Sequence, residues 1–509
     1  MSDKSTSAKG PSRTLGLAGI TVNAMALIAP GAFLWLAFQL QAGSGTHGSA
    51  QDMWAGIVLA LVVAFLTALS FSELARRYGD GRSGGAYYYA ERAVLERMPE
   101  GAPMARVIKF VTGWASHLFY WVYPGVMVGF MATLVSYIVS QYSPTTVVPL
   151  PFRMAIAWLF AALVGTIAVR GITGSTKLSI IINVVQLVSL LFFGGLAIYF
   201  RVANPLGVPA DGWFHGSALS VIMPHSLSGL LYQAVLAMII LVGFESAAAY
   251  GAEAKNPRRD IPRAIVLSLL LQGVLAYLFE YFATNYAMGD WLVSADGGAV
   301  SMAAAATSRA PIGDMAIAIG NALLANNGFA LMVFVSITVA IALLGTALSA
   351  MNTGVRISFA MAQDEEMPAA MSFLHGKFAT PYIGIILMVL VSGLIGSIGV
   401  AGGSVTLLGI TLASNLGTFC LYMLVCGLTY WASRGQKGFK FWRHGVVPLA
   451  GLVLNLLMAV GLLIIGLSAG GDTTRSAVIA IVIAVVWFLV SGLYLYRSTR
   501  KTAAGRAEE

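Results

Sequence analysis

Charge is scarce in this sequence. Of its 509 residues, 10% are charged, whereas soluble proteins carry about 25%. The deficit excludes a protein that exposes most of its residues to water. Hydrophobic residues make up 58% of the sequence instead. Because a membrane-spanning helix needs about 20 apolar residues, the chain is long enough for roughly ten or more spans.

Cysteine pairs and nucleotide or metal motifs are also lacking. The two cysteines, Cys420 and Cys426, lie in one apolar run, and residues spaced in this way on a helix cannot form a disulfide. No GxxxxGK[ST] phosphate loop and no HExxH metal motif occur. The glycine pattern at 79–84 follows a predicted membrane helix rather than a strand, which excludes a dinucleotide site. We therefore predict no enzyme activity, no catalytic residue, no metal and no cofactor.

Apolar runs bounded by charged and helix-breaking residues predict an all-α polytopic membrane protein with about twelve spans. The first six predicted spans are residues 14–41, 52–76, 107–141, 151–170, 174–201 and 227–253. The remaining six are residues 261–288, 328–356, 381–400, 404–431, 446–468 and 475–497. The longest outer connection is 289–327, in which residues 303–306 predict a short helix.

Basic residues distribute unevenly between the predicted connections. The net charge is +9 with 30 lysines and arginines. With both termini on the cytoplasmic side, only Arg153, Arg201, Arg309 and Arg475 lie outside. The positive-inside rule requires such an asymmetry, and an odd number of spans would destroy it. The loops lack a basic patch interleaved with aromatics, so we predict no nucleic-acid partner. We expect a multi-pass protein of the cytoplasmic membrane.

Two predicted spans contain helix breakers at their centres. The first holds Ile28, Ala29, Pro30 and Gly31, where proline removes a backbone donor and glycine adds freedom. The sixth holds Gly243 within an apolar run that also carries a carboxylate. A proline kink and a packing glycine would explain either case alone. Interrupted spans at corresponding positions of two repeats instead indicate a transporter site.

Three ionisable residues within predicted spans are candidates for a role in transport. A charge at the bilayer centre costs roughly 2.5–3.5 kcal/mol, so Glu245 is predicted to act as a proton carrier or as the partner of a substrate amine. The structural alternative is a carboxylate that caps the amides of the broken helix. His117 and Glu280 are weaker candidates for coupling. The aromatics Tyr120, Trp121 and Tyr123 of the third span are expected mainly to pack in the core.

Three stretches together resemble one family, the amino acid–polyamine–organocation transporters. The stretch from Ser72 to Arg77, continued through 84–93, is similar to the family signature between helices two and three. The stretch 243–246, followed by 253–264, resembles the sixth-helix glutamate and the loop after it. Asn352, Arg356 and the segment 362–368 resemble the end of the eighth helix.

The resemblance implies a five-plus-five inverted repeat with broken helices 1 and 6 around the substrate. The corresponding division of this chain is a tail at 1–13, repeats at 14–201 and 202–432, two further helices at 433–498 and a tail at 499–509. By position, the implied substrate-binding residues are Ile28, Ala29, Pro30, Gly31, Ala32, Gly243, Phe244, Glu245 and Ser246. Phe244 would be a gate, and Glu245 the proton-linked or substrate-facing acid.

The sequence departs from the family pattern at two positions. Amino acid carriers of the family usually have a Gly-Ser/Thr-Gly break whose amides bind the substrate carboxylate, but Pro30 offers no amide here. This departure favours an amine or polyamine. Some proton-coupled members use a lysine in the fifth helix, where this chain has Gln186, which does not titrate. If protons drive transport, Glu245, Glu280 or His117 must take part.

The sequence therefore predicts a secondary carrier that moves an amino acid by alternating access, as a symporter or an antiporter. An amine or polyamine carrier of the same family is the alternative. The sequence does not favour a channel, which would need a continuous polar face along several spans. Nor does it favour a transport-silent sensor, which would be expected to carry a sizeable soluble domain. The expected partners are the small-molecule substrate, protons and the lipid bilayer; the oligomeric state is not predicted.

Overall fold

A computed structural model describes residues 13–28, 30–43, 49–99, 102–143, 145–294 and 296–505. The regular structure in these ranges is helical, with isolated β-bridges in the connections. Nine α-helices cover the first part of the chain: α1 (Leu17–Ile28), α2 (Pro30–Gly43), α3 (Met53–Tyr78), α4 (Ala86–Leu95), α5 (Pro103–Tyr120), α6 (Tyr123–Tyr142), α7 (Leu150–Val169), α8 (Ile172–Ala203) and α9 (Ala218–Ile222).

The second part of the described chain contains nine more α-helices, interrupted by shorter 3-10 and π segments. They are α10 (Leu227–Leu241), α11 (Pro257–Ser268), α12 (Phe279–Ala287), α13 (Ser301–Thr307), α14 (Pro311–Leu323), α15 (Gly328–Gln363), α16 (Tyr382–Ser433), α17 (Val447–Ser468) and α18 (Gly471–Gly505). A 3-10 helix (Phe244–Tyr250) follows α10, and a π-helix (Leu269–Leu278) joins α11 to α12.

The described helices account for twelve passes. Nine helical stretches are long and apolar enough to cross a membrane. One of them, α16, contains non-helical backbone at Gly403, which divides it into two. The first and sixth passes are each divided into shorter pieces, α1 with α2 and α10 with the 3-10 helix. The predicted all-α polytopic architecture is confirmed.

The connection 289–327 is more structured than the sequence predicted. The expected short helix is present as α13, but α14 follows it and was not predicted. Pro311 lies at the start of α14, where its missing N–H costs no helical hydrogen bond. Because α14 packs against α15 and α2, this connection covers one end of the bundle.

The two broken passes lie inside the bundle. Helix α1 packs against α8, α11 and α15, and α10 packs against α3. Helices α17 and α18 lie at the periphery and expose large apolar side chains, including Ile464 (63%) and Leu489 (62%). Lipid is the solvent that suits such a surface. Because the broken passes lie inside the bundle, they are the candidate location of the functional site.

The bundle has two ends, for which we use fixed names. The loop end carries the 289–327 connection, Asp52 and Arg153. The terminal end carries the first described residues, where the backbone N–H of Leu15 donates to the Glu253 carbonyl (2.9 Å). Helix α18 ends there too, since Tyr494 stacks on Phe110 near the start of α5.

Candidate functional site

The sixth pass is interrupted at Val242 and Gly243, as predicted. Helix α10 ends at Leu241, Val242 is extended (ψ 134°), and Gly243 has φ 142°. Only glycine adopts such a positive φ without strain. The chain then continues as the 3-10 helix, so the carbonyls at the end of α10 and the amides after it lack their usual helical partners.

Side chains of the interruption satisfy its own backbone. The Glu245 Oε2 atom accepts a hydrogen bond from the Gly243 N–H (3.0 Å), and the Ser246 hydroxyl donates to the Gly243 carbonyl (2.6 Å). Both side chains are buried. The predicted residues Gly243, Glu245 and Ser246 therefore form one hydrogen-bonded unit that fixes the turn.

Glu245 is also held by two tyrosines from other passes. The Tyr120 hydroxyl of α5 donates to Oε1 (2.9 Å), and the Tyr422 hydroxyl of α16 donates to Oε2 (2.8 Å). The carboxylate thus accepts three hydrogen bonds in a buried site. Such donors stabilise a carboxylate where no cation pairs with it. This geometry fits the capping interpretation of Glu245 and links the sixth pass to the third and tenth passes.

Phe244 points into an aromatic cluster that we define as Phe71, Phe244 and Tyr422. The Phe244 ring lies 5.5 Å from that of Tyr422 and 6.3 Å from that of Phe71. All three rings are buried. The Phe71–Phe244 pair is edge-to-face and the Phe244–Tyr422 pair is tilted. An edge-to-face pair adds about 0.5–1.5 kcal/mol beyond the burial of its area. In this state Phe244 packs between α3 and α16, and its predicted role as a gate stays a prediction.

In the first pass, Ala29 lies outside the described residues, and Pro30, Gly31 and Ala32 form the first turn of α2. Proline has no N–H, so the Ala26 carbonyl four residues earlier lacks a helical donor. The Thr346 hydroxyl of α15 lies 3.3 Å from this carbonyl. A side chain of another pass therefore contacts the backbone group that Pro30 leaves unpaired.

The two interruptions meet. A Cβ added to Gly243 would lie 2.9 Å from Leu27 Cγ and 3.1 Å from the Ile28 nitrogen. The Tyr277 hydroxyl lies 2.5 Å from the Ile28 carbonyl oxygen and 3.0 Å from the Ile240 carbonyl oxygen. One buried tyrosine of the seventh pass thus bridges the last turns of α1 and α10.

Gln186 of α8 faces the start of α2. A Cβ added to Gly31 would lie 3.8 Å from Gln186 Oε1 and 3.6 Å from the Ala342 Cβ. Within the described ranges, neither polar atom of the Gln186 side chain has a hydrogen-bond partner, although the residue is fully buried. A buried amide without partners costs free energy, and the Gln186 side chain has a donor and an acceptor that no described residue uses.

The remaining coupling candidates differ in their surroundings. His117 is buried with Nδ1 2.7 Å from the Gly113 carbonyl and Nε2 2.8 Å from the Ser358 hydroxyl. Glu280 is 1% exposed, and its Oε2 atom has no hydrogen-bond partner in the part of the chain that the structure describes. A histidine with both nitrogens satisfied is suited to packing, whereas an unpartnered carboxyl is not.

A cavity of about 550 Å³ opens at the loop end between α2, α6 and α16. Its wall includes Leu40, Thr133, Tyr137, Arg153, Arg309 and Gly403. This loop-end cavity begins about two turns beyond Gly31. The ring of Trp35, on the intervening turn of α2, packs edge-on against the Tyr137 ring at 5.6 Å.

At the terminal end, an ion pair and a β-bridge connect the segments next to the same two passes. The Arg356 Nε donates to Glu253 Oε1 (2.9 Å) in a buried ion pair, and the Arg356 guanidinium lies 4.5 Å from the Tyr250 ring centre. Leu15 forms a β-bridge with Ala254. The chain segments leading into the first pass and out of the sixth pass are therefore bound to each other and to α15.

Tyr277 was not predicted as a site residue, and Tyr120 was expected mainly to pack in the core. Neither tyrosine stands out in an apolar run. The only local signal is that the hydroxyl of a buried tyrosine usually finds a partner. The partners themselves lie far away in sequence, so they are visible only in the fold.

Comparisons with known proteins agree on one family. A family model described as amino acid permease matches residues 13–489. The branched-chain amino acid permease BcaP of Bacillus subtilis is 22% identical over 505 residues, covering 96% of this chain and 93% of the relative. The aromatic amino acid transport protein AroP of Escherichia coli is 25% identical over 341 residues, or 64% of each chain. The low-affinity putrescine importer PlaP of Escherichia coli is 25% identical over 232 residues, or 45% of each chain.

Proposed function

The chain belongs to the amino acid permease family, and on that premise we propose that it is a secondary carrier that moves an amino acid by alternating access. The single observation that carries this proposal is the contact between the two interruptions at Ile28 and Gly243. Broken passes that meet inside a bundle provide unpaired backbone groups for a solute and two pieces that move relative to the rest.

The asymmetry between the two ends supports the same cycle. The loop end contains a cavity of about 550 Å³ that adjoins α2 of the first pass, whereas a cavity of about 830 Å³ at the terminal end adjoins α15 and the 81–83 segment. The terminal end is tied by the Glu253–Arg356 ion pair. This combination fits a carrier that accepts solute from the loop end and releases it after the terminal end opens. The charge asymmetry supports a cytoplasmic terminal end in the cytoplasmic membrane, with both termini inside.

Glu280 is our proposed proton site, if the carrier is a symporter. Its carboxyl group is buried, and no ion pair with it occurs in the described ranges. A carboxylate in such a place is more stable with a proton than without one. Glu245 already accepts three hydrogen bonds and is proposed to hold the sixth pass in register with its neighbours. An antiporter that exchanges two solutes would need no proton site.

The substrate class follows from the relatives only as a proposal. BcaP and AroP are named for branched-chain and aromatic amino acids, and they match a larger share of this chain than the putrescine importer does. We therefore place an amino acid first and keep an amine or polyamine as the second candidate. The lack of an amide at Pro30 is the observation that favours the second.

Uptake into proteoliposomes tests this proposal. Radiolabelled L-leucine, L-phenylalanine and putrescine are offered with and without an inward pH gradient. We expect saturable uptake of an amino acid in the wild-type protein and loss of uptake in Glu245→Gln, because glutamine cannot accept from all three donors. Glu280→Gln should keep exchange and lose stimulation by the gradient. Gradient-stimulated uptake in Glu280→Gln would contradict the proton site, and no uptake of any compound would contradict the carrier.

A further inference from the structure

Among its described lining residues, the loop-end cavity has two cations and no carboxylate. Arg153 of α7 and Arg309, between α13 and α14, line its wall, and the other described lining residues are uncharged. Several carry hydroxyl groups, among them Thr133, Tyr137 and Thr411. At about 550 Å³ the cavity lies within the range of small-molecule sites. A neutral vestibule would need neither arginine.

Neither arginine is neutralised by a carboxylate of the described residues. No ion pair involves Arg153 or Arg309 in the described ranges. The Arg153 Nε atom is buried and has no hydrogen-bond partner there. The charge of Arg309 also acts on Arg153. Two like charges that share a cavity are stabilised when an anion binds between them.

The backbone adds positive potential from a third direction. Gly403 and Ser404 line the cavity where the second half of α16 begins. A Cβ placed on Gly403 would meet no heavy atom within 4 Å, so this turn borders open space. The first amides of a helix carry a partial positive charge. Beside two arginines, this helix start increases the attraction of the cavity for an anion.

One acid is bonded to a residue of the cavity wall and is already engaged. The Asp314 carboxylate accepts hydrogen bonds from the Tyr137 hydroxyl at Oδ1 (2.8 Å) and from the Ser308 hydroxyl at Oδ2. Tyr137 therefore lies between this carboxylate and the cavity that it lines. Asp314 reduces the positive potential but does not pair with either arginine.

We infer that the loop-end cavity is an entry site that binds the carboxylate of the substrate, so that the carrier selects amino acids over polyamines. This inference rests on the proposed function and names its substrate class. A zwitterionic amino acid presents a carboxylate to Arg153 and Arg309, whereas a doubly charged diamine presents only cations and is repelled. The arginines supply contacts for the substrate carboxylate that Pro30, which has no N–H, cannot provide at the centre of the bundle.

Binding to the purified protein in lipid nanodiscs tests the inference independently of transport. The thermal midpoint is measured with L-leucine, L-phenylalanine, their carboxamides and putrescine, each at constant ionic strength. A carboxamide keeps the amine and side chain but lacks the carboxylate. We expect the free amino acid to raise the midpoint and its carboxamide to have little effect. Equal stabilisation by sodium chloride alone would indicate an anion site without substrate selection and would overturn the inference.

Variants of the two arginines give the second readout. For Arg153→Gln and Arg309→Gln we expect an amino acid KM about five- to tenfold higher with unchanged kcat, and stronger inhibition by putrescine. Arg475→Gln is the matched control, because this exposed arginine pairs with Asp472 and neither residue is part of the described cavity lining. Arg153→Lys keeps the charge and should stay near wild type, which separates electrostatics from misfolding.

The change in the amino acid KM and the change in inhibition by putrescine decide the outcome together. A rise in KM for the amino acid together with weaker inhibition by putrescine, or no change beyond twofold in both arginine variants, would overturn the inference while leaving the carrier function intact. If no compound is transported, the carrier function fails. Stabilisation by the amino acid that is lost in Arg309→Gln would still support carboxylate binding in the cavity.

Discussion

The hydroxyl oxygen of Tyr277 lies 2.5 Å from the carbonyl oxygen of Ile28, the last residue of α1. The same oxygen lies 3.0 Å from the Ile240 carbonyl near the end of α10. A hydroxyl has one proton, so the two carbonyls share it. Tyr277 therefore links the two broken passes in the state described, and any relative movement of the two must weaken one contact.

Tyr277→Phe tests this link. The substitution removes the shared donor and leaves two buried carbonyls without it, which costs about 1–3 kcal/mol. We expect a lower thermal midpoint of the purified protein and a lower kcat, measured by uptake into proteoliposomes. Tyr142→Phe is the control, because its side chain is 80% exposed and it lies on the surface of the loop end. Equal midpoints for the two variants would contradict the structural role of the hydroxyl.

Gly243→Ala tests the close contact between the interruptions. The alanine would have to adopt φ 142°, and its Cβ would lie 2.9 Å from Leu27 Cγ. Strain and overpacking together cost about 2–5 kcal/mol, so we expect loss of transport. Gly207→Ala is a control for an alanine at positive φ without a contact, because Gly207 has φ 61° and no heavy atom lies within 4 Å of its added Cβ. If both alanine variants transport equally well, the contact with Leu27 is unimportant.

The sequence predicted the interruption at Gly243 because a glycine and a carboxylate within an apolar run are local signals. It could not predict what holds the interruption, because Tyr120, Tyr422 and Tyr277 belong to other passes. The prediction of an all-α bundle is confirmed. It could be made from the sequence because membrane thickness sets the length of the apolar runs. Helix α14 was missed because the 289–327 connection was expected to contain only one short helix.

The ion pair between Glu253 and Arg356 is expected to stabilise the closed terminal end. Removal of one partner from a buried pair leaves an unpaired charge and costs about 3–5 kcal/mol. Arg356→Gln should therefore lower the thermal midpoint more than the double variant Glu253→Gln/Arg356→Gln does. The exposed pair Asp472–Arg475 (72% and 76% exposed side chains) provides the control, for which the same substitutions should change stability by less than about 0.5 kcal/mol.

His215, in the connection between α8 and α9, predicts a dependence of stability on pH. Burial, together with the charges of His225 and Arg201, lowers the pKa of His215 to about 4. The unfolded chain binds the proton near pH 6.5, so stability is complete above that pH. It falls by roughly 1–3 kcal/mol as the pH decreases towards 4.

The measurement is the thermal midpoint of the detergent-solubilised protein at pH 7.5 and pH 5, compared with that of His215→Gln. The variant lacks the titrating ring, so its midpoint should change less between the two pH values. Other groups titrate equally in both proteins, and the difference between them isolates His215. An identical loss of stability in both proteins would show that His215 does not titrate in this interval.

Some features of this chain follow from its family and others are its own. Membership predicts a carrier, and the resemblance gave the candidate residues around Gly243 and Glu245. The arginines of the loop-end cavity were recognised in the sequence only as exceptions to the charge asymmetry. Their common cavity is visible only in the fold, because Arg153 in α7 and Arg309 between α13 and α14 lie far apart in the chain.

Counterflow tests the central claim most directly. Proteoliposomes are loaded with a high concentration of unlabelled amino acid and diluted into a trace of the labelled compound, with equal pH on both sides. A carrier that works by alternating access accumulates the label transiently above equilibrium, because each outward step returns a site that can carry label inward. We predict this overshoot for the wild-type protein and its loss in Glu245→Gln. Simple equilibration without overshoot, as in a channel, would contradict the account.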